Sequence, residues 1–120
     1  MHTIFLGYSR SLTGAEMRKL FDIDPEHPDG LSKFEQFSGC GYVEPGNFEV
    51  YDRLEYADYV FDGDFIEKLL PFRFDVSILK SIDFSDVISF FYVKTENISS
   101  FEFIAVKVVG PILVDKFYYE

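Results

Sequence analysis

The chain has 120 residues, 48% of them hydrophobic, with fifteen Phe, no Trp and a formal net charge of −10. That length suits one domain spanning residues 1–120 that buries roughly two thirds of its unfolded surface; the apolar content excludes a disordered tail, and no apolar run nears the roughly 20 residues of a membrane-spanning helix. An acidic balance with no basic stripe excludes direct nucleic-acid binding, since phosphates are repelled, and points to a basic partner.

Met1 to Gly7 lacks the basic start and long apolar middle of a signal peptide. Cys40 is the single cysteine, so no internal disulfide forms, which fits a reducing, cytoplasmic setting. Thr3 to Leu6 is a short apolar run ended by Gly7 and reads as a buried strand. Thr13 stands three residues before Glu16, the spacing at which hydroxyl and carboxylate reciprocally satisfy the free amides of a helix start. Met17, Leu20 and Phe21 supply the apolar side of that helix, which ends near Asp22 because Asp24-Pro25 and His27-Pro28-Asp29-Gly30 punctuate the chain. Ser32 with Glu35 opens a second short helix, Phe34 and Phe37 facing inward and Gly39 ending it. Asp64 with Glu67 caps a further helix through Leu70, stopped by Pro71. Between Phe72 and Ile82 strand and helix periodicities compete without a winner. Val87–Val93 and Phe101–Val109 then read as a β-hairpin, Gly110-Pro111 as a turn, and Ile112–Tyr119 as a third strand. The expected fold is α+β: an antiparallel sheet ending in a three-strand meander, with helices packed on one face.

Between Glu44 and Glu67 the chain carries eight acids against one base, Arg53, so minus seven of the minus ten charges fall in one fifth of its length. Placed on a helix, residues 48 to 61 align Val50, Leu54, Ala57 and Phe61 in an apolar stripe and turn Asp52 and Glu55 outward beside Tyr56 and Tyr59. Strand formers Phe48, Val50 and Tyr51 compete with that helix. Acids among tyrosines suit a surface that meets a basic protein, because Tyr offers contact area and a hydrogen-bonding tip at small entropic cost. A solvated acidic face is the plainer alternative.

Catalytic constellations are thin. His2 and His27 have no Cys or His neighbour at metal-ligand spacing, and the acids at 22, 24, 26 and 29 lack the ligand periodicity of a calcium loop. Cys40, flanked by Gly39 and Gly41, has no nearby cation or histidine to lower its thiol pKa. No glycine-rich phosphate loop follows Gly7. No catalytic, metal or cofactor residue is assigned, and an enzyme is not expected.

Ile4-Phe5-Leu6-Gly7, Ser32-Lys33-Phe34 with Phe37, Phe48-Glu49, Ile88-Ser89-Phe90-Phe91-Tyr92, Val108-Val109-Gly110 and Phe117-Tyr118 together resemble a family of small acidic immunity proteins from bacterial polymorphic toxin systems. The chain departs from that family at Phe5, where a Trp is usual, and at Pro45-Gly46-Asn47, where acids are usual. The resemblance implies a protein that binds and neutralises a cognate toxin, often a nuclease. A nuclease holds phosphates in a basic groove, and an acidic, aromatic-bearing surface can occupy it as a surrogate with electrostatically steered association. The partner-binding residues expected on these grounds are Glu49, Asp52, Glu55, Tyr56, Asp58, Tyr59, Asp62 and Asp64, with the two tyrosines central. A small hydrolase using a carboxylate pair within residues 44 to 67, and a self-associating module pairing through a last-strand edge, are the alternatives.

Overall fold

Thr3 to Tyr8 offers large apolar side chains to both sides of a strand, so it fits only where both faces are covered. The computed structural model, which describes residues 1–120, places it at the centre of a five-stranded antiparallel sheet. The strands are β1 (His2–Ser9), β2 (Phe48–Asp52), β3 (Ser89–Lys94), β4 (Phe101–Phe103) and β5 (Val106–Val114). Their order across the sheet is β2-β3-β1-β5-β4. Three short helices, α1 (Gly14–Lys19), α2 (Lys33–Ser38) and α3 (Gly63–Leu69), and 3-10 turns at Pro45–Asn47, Arg53–Tyr56 and Val76–Ser81 complete it. The α+β class and the antiparallel sheet agree with expectation.

The C-terminal part is wired differently from the expected meander. β3 does not pair with β4; β1 inserts between β3 and β5, pairing Ile4 with Lys94 on one side and with Ile112 on the other. The hairpin is β4–β5 instead. Gly110-Pro111 lies within β5, not in a turn, and the β1–β5 register slips there, between Ile4 and Leu6. Such a bulge accommodates residues that a regular ladder rejects. A Cβ on Gly110 would come within 2.7 Å of the Phe5 ring, at a φ of +151°. Beyond the bulge, Ile112 to Val114 pairs with β1 alone, and only Phe117 touches another segment as a bridge, to Phe72.

Two separate cores result, one per sheet face, where helices on a single face were expected. Ile4, Leu6 and Tyr8 of β1, with Phe90 and Tyr92 of β3, face a cluster completed by Ile66 and Leu70 at α3, Leu79, Phe84 and Phe117. Phe5, Phe91 and Val93 face the opposite way, onto Met17 of α1, Phe34 of α2 and Phe103. The alternation of successive strand side chains divides the phenylalanines between the two cores. Gly7 sits opposite Phe91, and a Cβ there would fall inside that ring, so this position supplies the room for it.

Both expected capping boxes are present, at Thr13/Glu16 and Ser32/Glu35, and Gly39 ends α2 in the left-handed region at φ +72°. Phe34 is buried as expected; Phe37 is exposed, and its ring instead lies 5.4 Å from Phe103. The cap of α3 is Asp62, two residues earlier than expected, accepting from the Phe65 amide. Residues 72 to 82 form no strand; their regular part is the 3-10 turn Val76–Ser81, capped by Asp75.

Candidate interaction surface

The acidic helix expected over residues 48 to 61 does not form. Phe48 to Asp52 is an edge strand paired with β3, Val50 opposite Phe91 and Tyr51 opposite Phe90, and the burial of Val50 and Tyr51 on opposite faces outweighs the helical stripe. Asp52 ends the strand. Its Oδ1 accepts from the Leu54 amide at 2.8 Å and its Oδ2 from the Gly14 amide at 2.6 Å, which joins the strand end to the start of α1. Only 8% exposed, Asp52 is an internal strut and presents no carboxylate to a partner, contrary to its assignment from the sequence.

Arg53 sets the path of the loop that leaves β2. Its amide donates to the Ile88 carbonyl, and its guanidinium donates to three more carbonyls: Phe61 at 3.2 Å, Phe84 at 2.6 Å and Ser85 at 3.0 Å. The guanidinium also stands 5.4 Å from the Phe61 ring centroid, while its Nε is buried without a partner. A planar fork with several fixed donors can hold carbonyls of two segments at once. The loop between Arg53 and Phe61 is thereby drawn back onto residues 84 and 85, and its intervening side chains are turned out. Leu54 and Val60 are each 75% exposed and Tyr59 is 63% exposed. Leu54 and Ala57, assigned to a core stripe from the sequence, are therefore on the surface.

Between this loop and the segment from Val76 to Ser85 lies an open cleft of about 900 Å³. Phe61, Leu79, Ile82 and Phe84 form its buried floor, and Leu54, Tyr59 and Val60 its lip. Four carboxylates, Asp62, Asp64, Glu67 and Asp83, line it together with two cations, Arg53 and Lys80. The Ser85 amide, and then its hydroxyl, hold the Asp83 carboxyl below its ordinary pKa, so this group stays ionised. Tyr59 stacks on Phe65 with centroids 5.0 Å apart, and Tyr56 meets the same ring edge-on at 5.4 Å.

Of the eight residues expected to bind a partner, Tyr59, Asp62 and Asp64 line the cleft. Asp58 is exposed on the same loop, next to Tyr59. Glu55 is exposed but ion-paired with Arg18 of α1 at 3.1 Å, and Tyr56 is half-buried. Glu49 stands apart on β2, where its Oε2 accepts from the Tyr51 hydroxyl at 3.3 Å. The acids are thus not one continuous face. Sequence reasoning missed Leu54, Val60, Lys80 and Asp83; Lys80 belongs to the segment whose fold the periodicity left open, and Asp83 follows it directly. Three or more His, Cys, Asp or Glu side chains are nowhere grouped as a metal would need, and no helix is long and apolar enough to cross a membrane.

Fold and surface together define a small acidic α+β protein with an apolar-lipped, carboxylate-lined cleft. No family model, curated protein or solved structure matches the chain.

Proposed function

We propose that the protein is an immunity protein that binds and neutralises a basic bacterial toxin domain of nuclease type, using the cleft and its lip as the contact surface. The observation that carries this reading is the exposed lip Leu54, Tyr59 and Val60 beside four carboxylates. Large apolar side chains held out to solvent by an arginine staple contribute nothing to the core, and apolar anchors rimmed by polar groups are the ordinary anatomy of a protein interface. The net charge of −10 supplies complementarity to a cationic partner. The resemblance of the sequence to immunity proteins supplies the kind of partner. Asp58 and Asp64, which have neither an ion pair nor a hydrogen-bonded partner, are better placed to face it than Asp52 or Glu55.

Catalysis finds less support. The carboxyl groups whose pKa is displaced, Glu16, Asp24, Asp75 and Asp83, all move down, opposite to the direction a general acid requires.

The test is growth of cells producing the toxin domain encoded beside this gene, with and without this protein. Wild type is expected to restore growth, and the Leu54→Asp, Val60→Asp double variant to lose protection while keeping its thermal midpoint, since both side chains lie at the surface. Full protection by the double variant removes the lip from the interface.

A further inference from the structure

The β4–β5 hairpin turns through two residues, Ile104 and Ala105, and its register leaves no choice of which two. Phe103 and Val106, paired on either side of the turn, are both buried, and a slip of one residue would turn them out of the core. The first residue of the turn has a φ of +53°. Every other positive φ in the chain falls on Gly30, Gly39, Gly41, Gly110 or Asn97, residue types that adopt it at small cost. Ile104 is the exception. A β-branched side chain crowds its own backbone in this region, and two-residue hairpin turns ordinarily put Gly, Asn or Asp there. Packing does not recover the cost, because Ile104 is 61% exposed. A side chain that strains its backbone while contributing little to the core is characteristic of a binding surface.

The surroundings of Ile104 connect it to the cleft. It lines a groove of about 490 Å³ between the hairpin and the end of β1, together with Tyr8, Arg10, Ser81, Asp83 and Lys107. The Arg10 guanidinium donates to the Asp83 carbonyl at 2.8 Å and stands 5.3 Å from the Tyr8 ring centroid, which ties the end of β1 to the segment that walls the cleft. Asp83 lines groove and cleft alike. Tyr8, Leu79 and Phe84 belong to one core, so the two openings lie along the rim of the same sheet face. Their charges differ. In the groove Arg10 and Lys107 offset Asp83 and Glu102, whereas in the cleft four carboxylates face two cations. Charge therefore favours a basic partner at the cleft, and at the hairpin tip an apolar side chain is what the surface offers.

We infer that Ile104 is a second apolar anchor for the partner that docks on the cleft, so that the contact surface runs from the lip of Leu54, Tyr59 and Val60 past Asp83 to the hairpin tip. This rests on the reading of the cleft as the contact surface and adds a requirement on the partner: beside its basic patch it carries an apolar hollow that takes one branched aliphatic side chain.

Relief of strain and loss of contact have opposite signs, and that separates a binding role from a structural one. Ile104→Gly and Ile104→Asn are each expected to raise the thermal midpoint by roughly 2–5 °C, since both residues accept the φ of this turn. The same two variants are expected to bind the basic toxin domain that the proposed function expects beside this gene about tenfold more weakly or worse, read by calorimetric titration, because an apolar side chain is withdrawn from the interface. Ile104→Val keeps the branch and most of the contact and is expected to stay within about twofold of wild type in affinity. A raised midpoint with unchanged affinity overturns the anchor, and a midpoint that rises in neither variant overturns the strained turn on which it is argued. A solution mass for wild type twice that of Ile104→Gly assigns the tip to a second copy of this chain and overturns it as well. The cleft reading fails separately, when Leu54→Asp with Val60→Asp protects fully while the Ile104 variants bind more weakly; a wild type that does not bind the toxin domain removes both.

Discussion

Asp52 shows how much a single residue's meaning depends on its partners. In the sequence it is one of eight acids in a charged stretch; in the fold its two oxygens receive the amides of Leu54, two residues on, and of Gly14, 38 residues back. A buried acceptor serving two amides leaves both unsatisfied when removed. Asp52→Ala is expected to lower the unfolding free energy by ~2–4 kcal/mol, at ~1–3 per orphaned group less what water regains, measured from urea midpoints. Asp58→Ala, on the exposed loop, is expected to change it by less than ~0.5. Equal effects of the two substitutions would contradict the assignment of Asp52 to the interior. Asp24 is a second acid with an internal role. The Gln36 amide first, then Lys33, then the Glu26 amide hold its carboxyl down to about 2 from an ordinary 3.8. A depressed folded-state pKa contributes stability above the unfolded value and loses it on acidification. The stability difference between wild type and Asp24→Asn should therefore be constant above about pH 4 and close progressively toward about pH 2, read from urea midpoints across that window.

At the scale of elements, the parts legible in the sequence are those whose physics is local. Thr13 with Glu16 and Ser32 with Glu35 satisfy helix amides within three residues, so spacing alone locates α1 and α2. β1 and β3 are legible as strands from their apolar, β-branched and aromatic content. Which strands lie side by side is not, because it depends on residues about a hundred positions apart, such as Ile4 and Ile112. The stretch from Phe48 to Phe61 fails for the same reason. Its helical stripe and its strand formers are nearly balanced locally, and pairing with Phe90 and Phe91, some forty residues on, tips it to strand. The cleft depends on Arg53 finding carbonyls at Phe84 and Ser85, about thirty residues away, and nothing in the acidic stretch announces them. The staple itself is open to test. Arg53→Met removes the donors to three carbonyls and is expected to cost ~3 kcal/mol, since hydrogen bonds to a charged group contribute ~1.5–3 each and water repairs part of the loss. Arg53→Lys is expected to recover only part, because one ammonium lacks the fork that spans two segments. Full recovery by Lys would show that charge, not geometry, holds the loop.

For the molecule as a whole, packing and charge serve different ends. Both faces of the sheet are committed to cores, with Phe90 and Tyr92 on one side and Phe91 and Val93 on the other. The sheet face itself is thus unavailable to a partner. What remains exposed is the periphery, including the lip of the cleft and its carboxylates. The concentration of charge between Glu44 and Glu67 was legible from composition, but its subdivision into strut, ion pair, cap and open carboxylate was not. Asp52 and Glu55 answer to groups on α1, Gly14 and Arg18, and Asp62 is taken up by the Phe65 amide that it caps. Glu44, Asp58, Asp64 and Glu67 have no such partner, and on the proposed reading Asp58 and Asp64 are the charges that would steer a basic partner toward the lip. The association rate constant with the basic toxin domain that the proposal expects to be encoded beside this gene, followed as salt is raised, tests that claim most directly. It is expected to fall by about tenfold or more between low and high ionic strength, and to drop further at low salt in an Asp58→Lys, Asp64→Lys variant of unchanged thermal midpoint. A rate constant independent of salt and indifferent to the double charge reversal would contradict it.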